Sequence, residues 1–397
     1  MKRLELIKAN NSVKLICSPN NLFKRAKKFF IYGVYGVGNL GDEAILQSIL
    51  LQLKKITNYQ KIIISKKPDV IYNEYHKPSI HPLLYSKISH LLNKRSNSSI
   101  LLMGGGGILK DYENRPATLK KFLKVPMVGL KNKYKTMLYS AGVEKIIFKE
   151  SRILLADILN QFDILTVRDP YSKERLEELG VQKQIYVTGD PAALLFLDIG
   201  NNKIFKKNNP LIIVTLRHWF EKGYFHTDER VFNQFLLELA YSLDKIIEEF
   251  NASILFIPFR IVPFDNDNKI IQMVKSKMKY TQKVSLLEKV PSYAYLNKIY
   301  SLADITIGMR LHSLIFSFSS LTPMLSISYS CKIKDFMNYI NLEDFNFNIN
   351  DFVPEHLFSK IEYIFNNKEE INHSLYFKRK EYLDKLNKNL ILLQDLL

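Results

Sequence analysis

Cysteine is nearly absent. The 397 residues hold two, Cys17 and Cys331, far apart in the sequence. They make neither a disulfide framework nor a metal-like spacing, so a zinc site is not expected, and the chain suits a reducing compartment. Long apolar runs are missing too. No stretch approaches the roughly 18 residues needed to cross a bilayer. The early lysines are not followed by the apolar core of a signal peptide. The expectation is a cytoplasmic protein that meets a membrane only at its surface, peripheral on the inner face of the plasma membrane. Negative charge is scarce: 39 Asp and Glu face 57 Lys and Arg, a net +18. The excess is spread over many lysines, and such a field attracts nucleic acid, anionic headgroups or phosphorylated substrates. It equally describes a lysine-rich surface with no specific partner. No nucleic-acid motif accompanies it, so nucleic acid is not an expected partner.

With 397 residues, 47% of them hydrophobic, the chain is long enough for two cores. Residues 1–28 read as a basic N-terminal segment. A βα rhythm then begins, with strands expected at 29–35, 61–65, 99–103, 134–141, 164–167 and 185–188, and a helix over 42–55. Residues 200–210 are polar and read as a linker. The rhythm restarts with strands at 211–216, 253–257, 284–287, 305–307 and 324–327, and helices at 229–250 and 265–279. Short apolar runs alternating with helices imply βαβ units and parallel sheets. The expected fold is α/β, two Rossmann-like domains over 29–200 and 201–370 with a cleft between the lobes, followed by a C-terminal helix over 371–397. In that helix Leu383, Leu386, Leu390, Leu393 and Leu397 share one face. That stripe can pack on the protein's own domain or form a homo-oligomer.

In open parallel sheets, ligands bind beyond the C-terminal ends of the strands, and the polar motifs stand there. Gly36-Val37-Gly38-Asn39-Leu40-Gly41-Asp42 matches G-x-G-x-x-G between a strand and a helix, the setting of an anion or dinucleotide site. The second strand runs into Ser65-Lys66-Lys67 without a ribose-binding acid, so NAD and FAD are not expected. Asp42 can also serve as a helix cap. Gly104 to Gly107 follow the third strand; four consecutive glycines cost backbone entropy, which a close approach of backbone N–H groups to a ligand would offset. Arg168-Asp169-Pro170 marks another strand end and can be an ordinary ion pair and cap. In the second half, Arg217-His218-Trp219, Asp265 with Asp267, and Gly308-Met309-Arg310-Leu311-His312 follow three strands. Arginine forks match carboxylate and phosphate oxygens, and a histidine beside them can move protons near neutral pH.

Taken in order, residues 35–44, Gly104 to Gly107, Val167-Arg168-Asp169 with Ser172, Asp190-Pro191, residues 308–312, and Pro323 through Tyr329 with Lys332 resemble the polysaccharide pyruvyltransferase family. The resemblance spans about residues 30–340. It departs from the family at Ser330-Cys331, where Asp-Pro is usual, and after Ser140-Ala141-Gly142-Val143-Glu144, where a later Gly-Pro is missing. The resemblance implies a glycosyltransferase-B-like pair of domains. It implies transfer of the enolpyruvyl unit of phosphoenolpyruvate to two hydroxyls of a sugar in a cell-surface polysaccharide or its lipid-linked precursor, with release of phosphate. On this reading phosphoenolpyruvate is a donor substrate and no cofactor or metal is expected. Arg217, Arg310 and His312 contact the donor, and His312 is the candidate for proton transfer. Gly38, Asn39, Asp42, Gly105, Gly106, Arg168, His218 and Lys332 complete the candidate binding set, with the first domain on the acceptor side.

Two other readings fit parts of the sequence. A nucleotide-sugar glycosyltransferase would want a ribose-binding acid in the second domain, for which Glu288 is a candidate. A non-catalytic membrane-surface protein would use the stretch from Lys110 to Lys135, where Arg115, Lys120, Lys121, Lys124, Lys131 and Lys133 alternate with Phe122, Leu123, Val125, Met127 and Val128.

Overall fold

The structure, a computed structural model, describes residues 15–16, 27–93, 99–112, 117–197, 209–218, 229–263, 265–290 and 292–397. Most of the basic segment expected over 1–28, most of the linker expected over 200–210, Arg115 and Trp219 lie outside them. The chain divides into two compact units, Met1–Pro191 with Asp384–Leu397, and Ala192–Leu383.

The first unit contains β1 (Leu15–Ile16), β2 (Lys28–Tyr32), α1 (Leu40–Ile56), β3 (Gln60–Ile64), α2 (Pro68–Tyr75), β4 (Ser79–Ile80), α3 (Pro82–Asn93) and β5 (Ser99–Leu109). It continues through α4 (Ala117–Phe122), α5 (Lys124–Lys131), β6 (Lys135–Val143), α6 (Lys149–Leu159), β7 (Ile164–Val167), α7 (Pro170–Glu178) and β8 (Ile185–Val187). Its sheet has the order β1-β4-β3-β2-β5-β6-β7-β8. The central pairs are all parallel, and β1 runs antiparallel to β4. Strands such as Phe29-Phe30-Ile31 and Ile62-Ile63-Ile64 are apolar without alternation because both faces of a parallel sheet are covered.

The second unit contains β9 (Leu211–Thr215), α8 (Glu229–Phe250), β10 (Ser253–Phe256), β11 (Ile261–Val262), β12 (Asp265–Asn266), α9 (Asp267–Lys275), β13 (Val284–Leu286) and α10 (Tyr293–Leu302). Then follow β14 (Ile305–Gly308), α11 (Leu311–Ser319), β15 (Met324–Ser328), α12 (Cys331–Tyr339), β16 (Asn346–Asn348), α13 (Pro354–Asn366) and α14 (Lys368–Gln394). The sheet order is β13-β10-β9-β14-β15-β16, parallel throughout. Each unit carries its own apolar core.

Three features differ from the sequence expectation. The third strand does not stop at Met103 but runs through the glycines to Leu109. A Cβ at Gly104 would meet the Tyr139 carbonyl oxygen at 2.2 Å, and one at Gly105, held at φ +78°, would meet Ile45 Cγ2 at 2.0 Å. The glycines let α1 and β6 close onto β5. The helix expected from Asp265 starts at Asp267 instead, capped by Asn266, whose side chain accepts from the Asn268 amide. Asp265 and Asn266 pair with Ile261 and Val262 in a short antiparallel ribbon, which sets Asp265 just ahead of the helix and Asp267 at its first position. Finally, α14 begins in the second unit and its residues from Asp384 onward belong to the first. There Leu386 and Leu393 are buried, and between them Asn389 accepts from Thr166 Oγ1 at 2.8 Å and donates to Ser140 Oγ at 2.7 Å. Leu386 and Leu393 of the stripe are therefore buried within the protein itself.

Candidate active site

In each sheet the strand order reverses direction at one point, and loops leaving neighbouring strands part there to expose a binding crevice. In the second unit this point lies between β9 and β14. Arg217 stands just after β9 and Arg310 just after β14. Both side chains are nearly enclosed, and both are held by carboxylates. Arg310 donates through Nε to Asp267 Oδ2 at 3.1 Å and through Nη2 to Asp265 Oδ1 at 3.0 Å, with a further short bond from Nη2 to Asp267 Oδ1. Asp267 is wholly buried, and its Oδ2 also accepts from the Phe259 and Arg260 amides at 2.9 and 3.0 Å. Asp265 accepts from Arg260 Nη1 at 2.9 Å and pairs with Arg217 Nη2 at 3.7 Å. Burial works to raise the Asp265 carboxyl, but Arg310, Arg217 and Arg260 outweigh it and hold it below its ordinary value.

Tyr329, after β15, completes the group. Its Oη accepts from Arg217 Nη1 at 2.5 Å, and Lys332 Nζ lies 5.9 Å from its ring centroid. Burial pushes the phenol up. Arg217, Lys332 and Arg310, with the bond from Arg217, overcome that and bring it down to about 7. Four cations thus surround two carboxylates and one titratable phenol, an excess of positive charge suited to a small polyanion. His312 sits in the first turn of α11, with its ring centroid 6.4 Å from that of Phe316. His218 directly follows Arg217, and its ring packs edge-on against Phe232. Glu288 is exposed after β13. Sequence reading placed Arg217 and Arg310 at strand ends and took Lys332 from the family resemblance, but did not assign site roles to Asp265, Asp267, Arg260 or Tyr329. The signal for the aspartates was their spacing of two in the stretch between β10 and the helix that follows.

The switch point of the first unit lies between β2 and β5. Gly38 turns the glycine loop at φ +72°. The loop's anion is the protein's own: Glu43 Oε1 accepts from the Gly36 amide at 2.6 Å and the Val37 amide at 3.2 Å. Tyr75 Oη donates to Glu43 Oε2 at 2.9 Å. Burial raises the Glu43 carboxyl to about 7, against the pull of the Tyr75 and Gly36 bonds. Asn39, not Asp42, caps α1 through the Gly41 amide at 3.3 Å, and it donates to Asp42 Oδ2 at 2.6 Å. Asp42 Oδ1 in turn lies 2.7 Å from where a Cβ on Gly106 would stand. Gly105 and Gly106 are therefore packed against α1, with side chains of that helix where a Cβ would stand. Arg168 is buried, with Nε donating to Asp169 Oδ2 at 3.0 Å. Burial lowers its basicity, but Asp169, Asp190 and Glu144 more than restore it. Asp169 also caps α7 through the Ser172 amide at 2.7 Å.

The basic stretch from Lys110 to Lys135 is also rearranged by the fold. Lys110 is turned inward onto Glu144 at 3.1 Å, and Leu123 and Val125 belong to the core. Lys120, Lys121, Lys124, Lys131 and Lys133 remain exposed.

Two Rossmann-like α/β units with charged strand ends define the glycosyltransferase-B class of fold. Solved structures agree on that fold. The UDP-GlcNAc 2-epimerase from Neisseria meningitidis bound to UDP-GlcNAc is similar over 93% of this chain and 99% of its own, with a TM-score of 0.62 and 12% identity. A glycosyltransferase from Rickettsia africae is similar over 94% and 98%, with a TM-score of 0.60 and 15% identity. The UDP-GlcNAc 2-epimerase from Methanocaldococcus jannaschii covers 85% and 92%, with a TM-score of 0.55 and 16% identity. No curated protein sequence matches the chain. The model of the polysaccharide pyruvyl transferase family matches residues 39–330, from the cap of α1 to the end of the Tyr329 loop. The chain belongs to that family and is a transferase.

Proposed function

We propose that the protein transfers the enolpyruvyl unit of phosphoenolpyruvate to two hydroxyls of one sugar in a polysaccharide or its lipid-linked precursor. The observation that carries this reading is the arginine pair, Arg217 and Arg310, at the switch point of the second unit, with Lys332 beside it. A donor with a carboxylate and a phosphate presents two oxyanions, and the two guanidinium groups with Lys332 supply the positive charge to neutralise them.

The chemistry then balances as follows. A proton adds to the methylene carbon of the enol, which becomes the methyl group and leaves C2 electrophilic. One sugar hydroxyl bonds to C2, the C2–O bond to phosphate breaks, and the second hydroxyl closes the ketal. The two hydroxyls together release two protons: one restores the group that protonated the enol, and the other leaves with the phosphate. His312, two residues beyond Arg310, is assigned the first proton transfer. Fixed guanidinium groups neutralise the charge that develops on the leaving phosphate. The first unit, with Asn39 and Asp42, is assigned to the acceptor sugar.

Phosphate release from phosphoenolpyruvate across a panel of lipid-linked saccharides tests the reading. Arg310→Ala and His312→Ala are each expected to lower turnover by about a hundredfold or more, the usual loss when one charge-stabilising group is removed. Full activity in both variants overturns the donor site. Protection of the enzyme by UDP- or GDP-sugars, and not by phosphoenolpyruvate, would favour a nucleotide-sugar transferase instead.

A further inference from the structure

The first unit carries one surface whose charge the donor site does not use. Between Glu74 and Asp111 the sequence has no acidic residue, and there is none between Glu113 and Glu144. These two stretches supply α3, α4 and α5. The connections from β4 to β5 and from β5 to β6 step in the same direction across the sheet. Right-handed crossovers therefore put all three helices on one face. α3 and α5 touch, and Asn132 Nδ2, just past α5, donates to Ser89 Oγ on α3 at 3.2 Å.

The helices have already buried their apolar sides. Leu84 and Tyr85 of α3, Leu119 of α4 and Val125 of α5 are core residues. Among the described side chains of these helices, two large apolar ones nevertheless point to solvent, Leu83 at 56% exposure and Met127 at 45%. Lysines flank both. Lys124, Met127 and Lys131 lie at i, i+3 and i+7 on α5, one stripe of the helix. Leu83 and Lys87 lie at i and i+4 on α3, and both are exposed. The longer surface helices are built differently: α8 carries Glu238, Asp244 and Glu248, and α14 carries Glu369, Glu381 and Asp384 among its lysines.

We propose that this face docks on an anionic lipid surface, with the lysines over the headgroups and Leu83 and Met127 entering the acyl boundary. Charge complementarity selects an anion, and the exposed leucine and methionine select a lipid over a soluble polyanion, which has no apolar layer to receive them. A single-stranded nucleic acid would want exposed rings on which bases stack. The described rings on these helices are turned inward: Tyr85 is buried, and Phe122 stacks on Tyr32 with centroids 4.5 Å apart. The inference is independent of the donor assignment, because none of these residues belongs to the second unit.

Flotation of the full chain with phosphatidylcholine vesicles, with and without phosphatidylglycerol, tests it, with immobilised heparin as a soluble-polyanion control. The expected result is binding to the anionic vesicles only, weakened when salt rises from about 0.1 M to about 0.5 M, as screening requires. Each lysine near such a surface contributes about fivefold, so Lys124→Ala with Lys131→Ala should lower vesicle affinity roughly 25-fold. Leu83→Gln with Met127→Gln should weaken vesicle binding and leave heparin binding unchanged. Circular dichroism checks that these surface variants stay folded. No binding to anionic vesicles, or equal binding to neutral ones, overturns the proposal. So does vesicle binding that is indifferent to the glutamine pair, which would show that charge alone, without entry of Leu83 and Met127 into the acyl boundary, holds the protein there.

Discussion

Asp267 is the point on which the geometry of the proposed donor site turns. Its side chain is fully buried and accepts the Phe259 and Arg260 amides together with the Arg310 fork. Asp267→Ala strands a buried guanidinium and two amides at once. Breaking a buried pair by removing one partner costs about 3–5 kcal/mol. Asp265 still accepts from Arg310 at 3.0 Å and keeps the loss toward the lower end of that range. Asp267→Asn is a finer probe. Its amide oxygen can replace Oδ2, which serves both backbone amides and Arg310 Nε. Its NH2 then faces Arg310 Nη2, donor against donor, and the charge is lost; about 2–3 kcal/mol is expected, the value of charge-assisted hydrogen bonding. Urea unfolding followed by circular dichroism measures both. In steady-state kinetics with phosphoenolpyruvate as donor, the asparagine variant should raise KM and lower kcat/KM, because Arg310 is no longer held in its fork. A loss under about 0.5 kcal/mol in both variants would show that the carboxylate does not position Arg310.

Two further predictions concern groups that titrate near neutrality. The Tyr329 phenol, held at about 7, becomes an anion beside Arg217 and Lys332 as pH rises, which cancels part of the charge that attracts the donor. The donor KM should therefore climb as pH passes through about 7, and Tyr329→Phe should flatten that climb; an unchanged KM profile in the variant counts against the assignment. Glu43, raised to about 7 from an ordinary 4.5, holds its proton more tightly folded than unfolded, so its contribution to stability falls between those values as pH rises and is level above them. The span corresponds to about 3 kcal/mol, and Glu43→Gln should remove that slope in urea midpoints taken at about pH 5 and about pH 8.

The sequence by itself determined the local elements and the two βα series, because apolar runs flanked by caps and breakers carry that information within a few residues. Asn39, Asp169 and Ser292 cap their helices through amides two or three positions on. It also placed Arg217 and Arg310 at strand ends, since each closely follows an apolar run, while Lys332 entered only through the family resemblance. What those side chains meet was decided by the tertiary structure. Arg310 finds Asp267 across 43 residues, and Arg217 finds Tyr329 across 112. Such pairs depend on which strands become neighbours, and strand order is set by long-range packing with no short-range signature. The same reason explains the glycines. Gly104 to Gly106 read locally as a loop open to a ligand, yet Tyr139, Ile45 and Asp42 fill the space beside them. The glycine-rich loop likewise read as a site for an outside anion, and folding brought Glu43 to its amides. Motif position was thus a local property of this chain, while occupancy, pairing and proton affinity at the candidate site followed from burial and from neighbours that only the folded chain brings together.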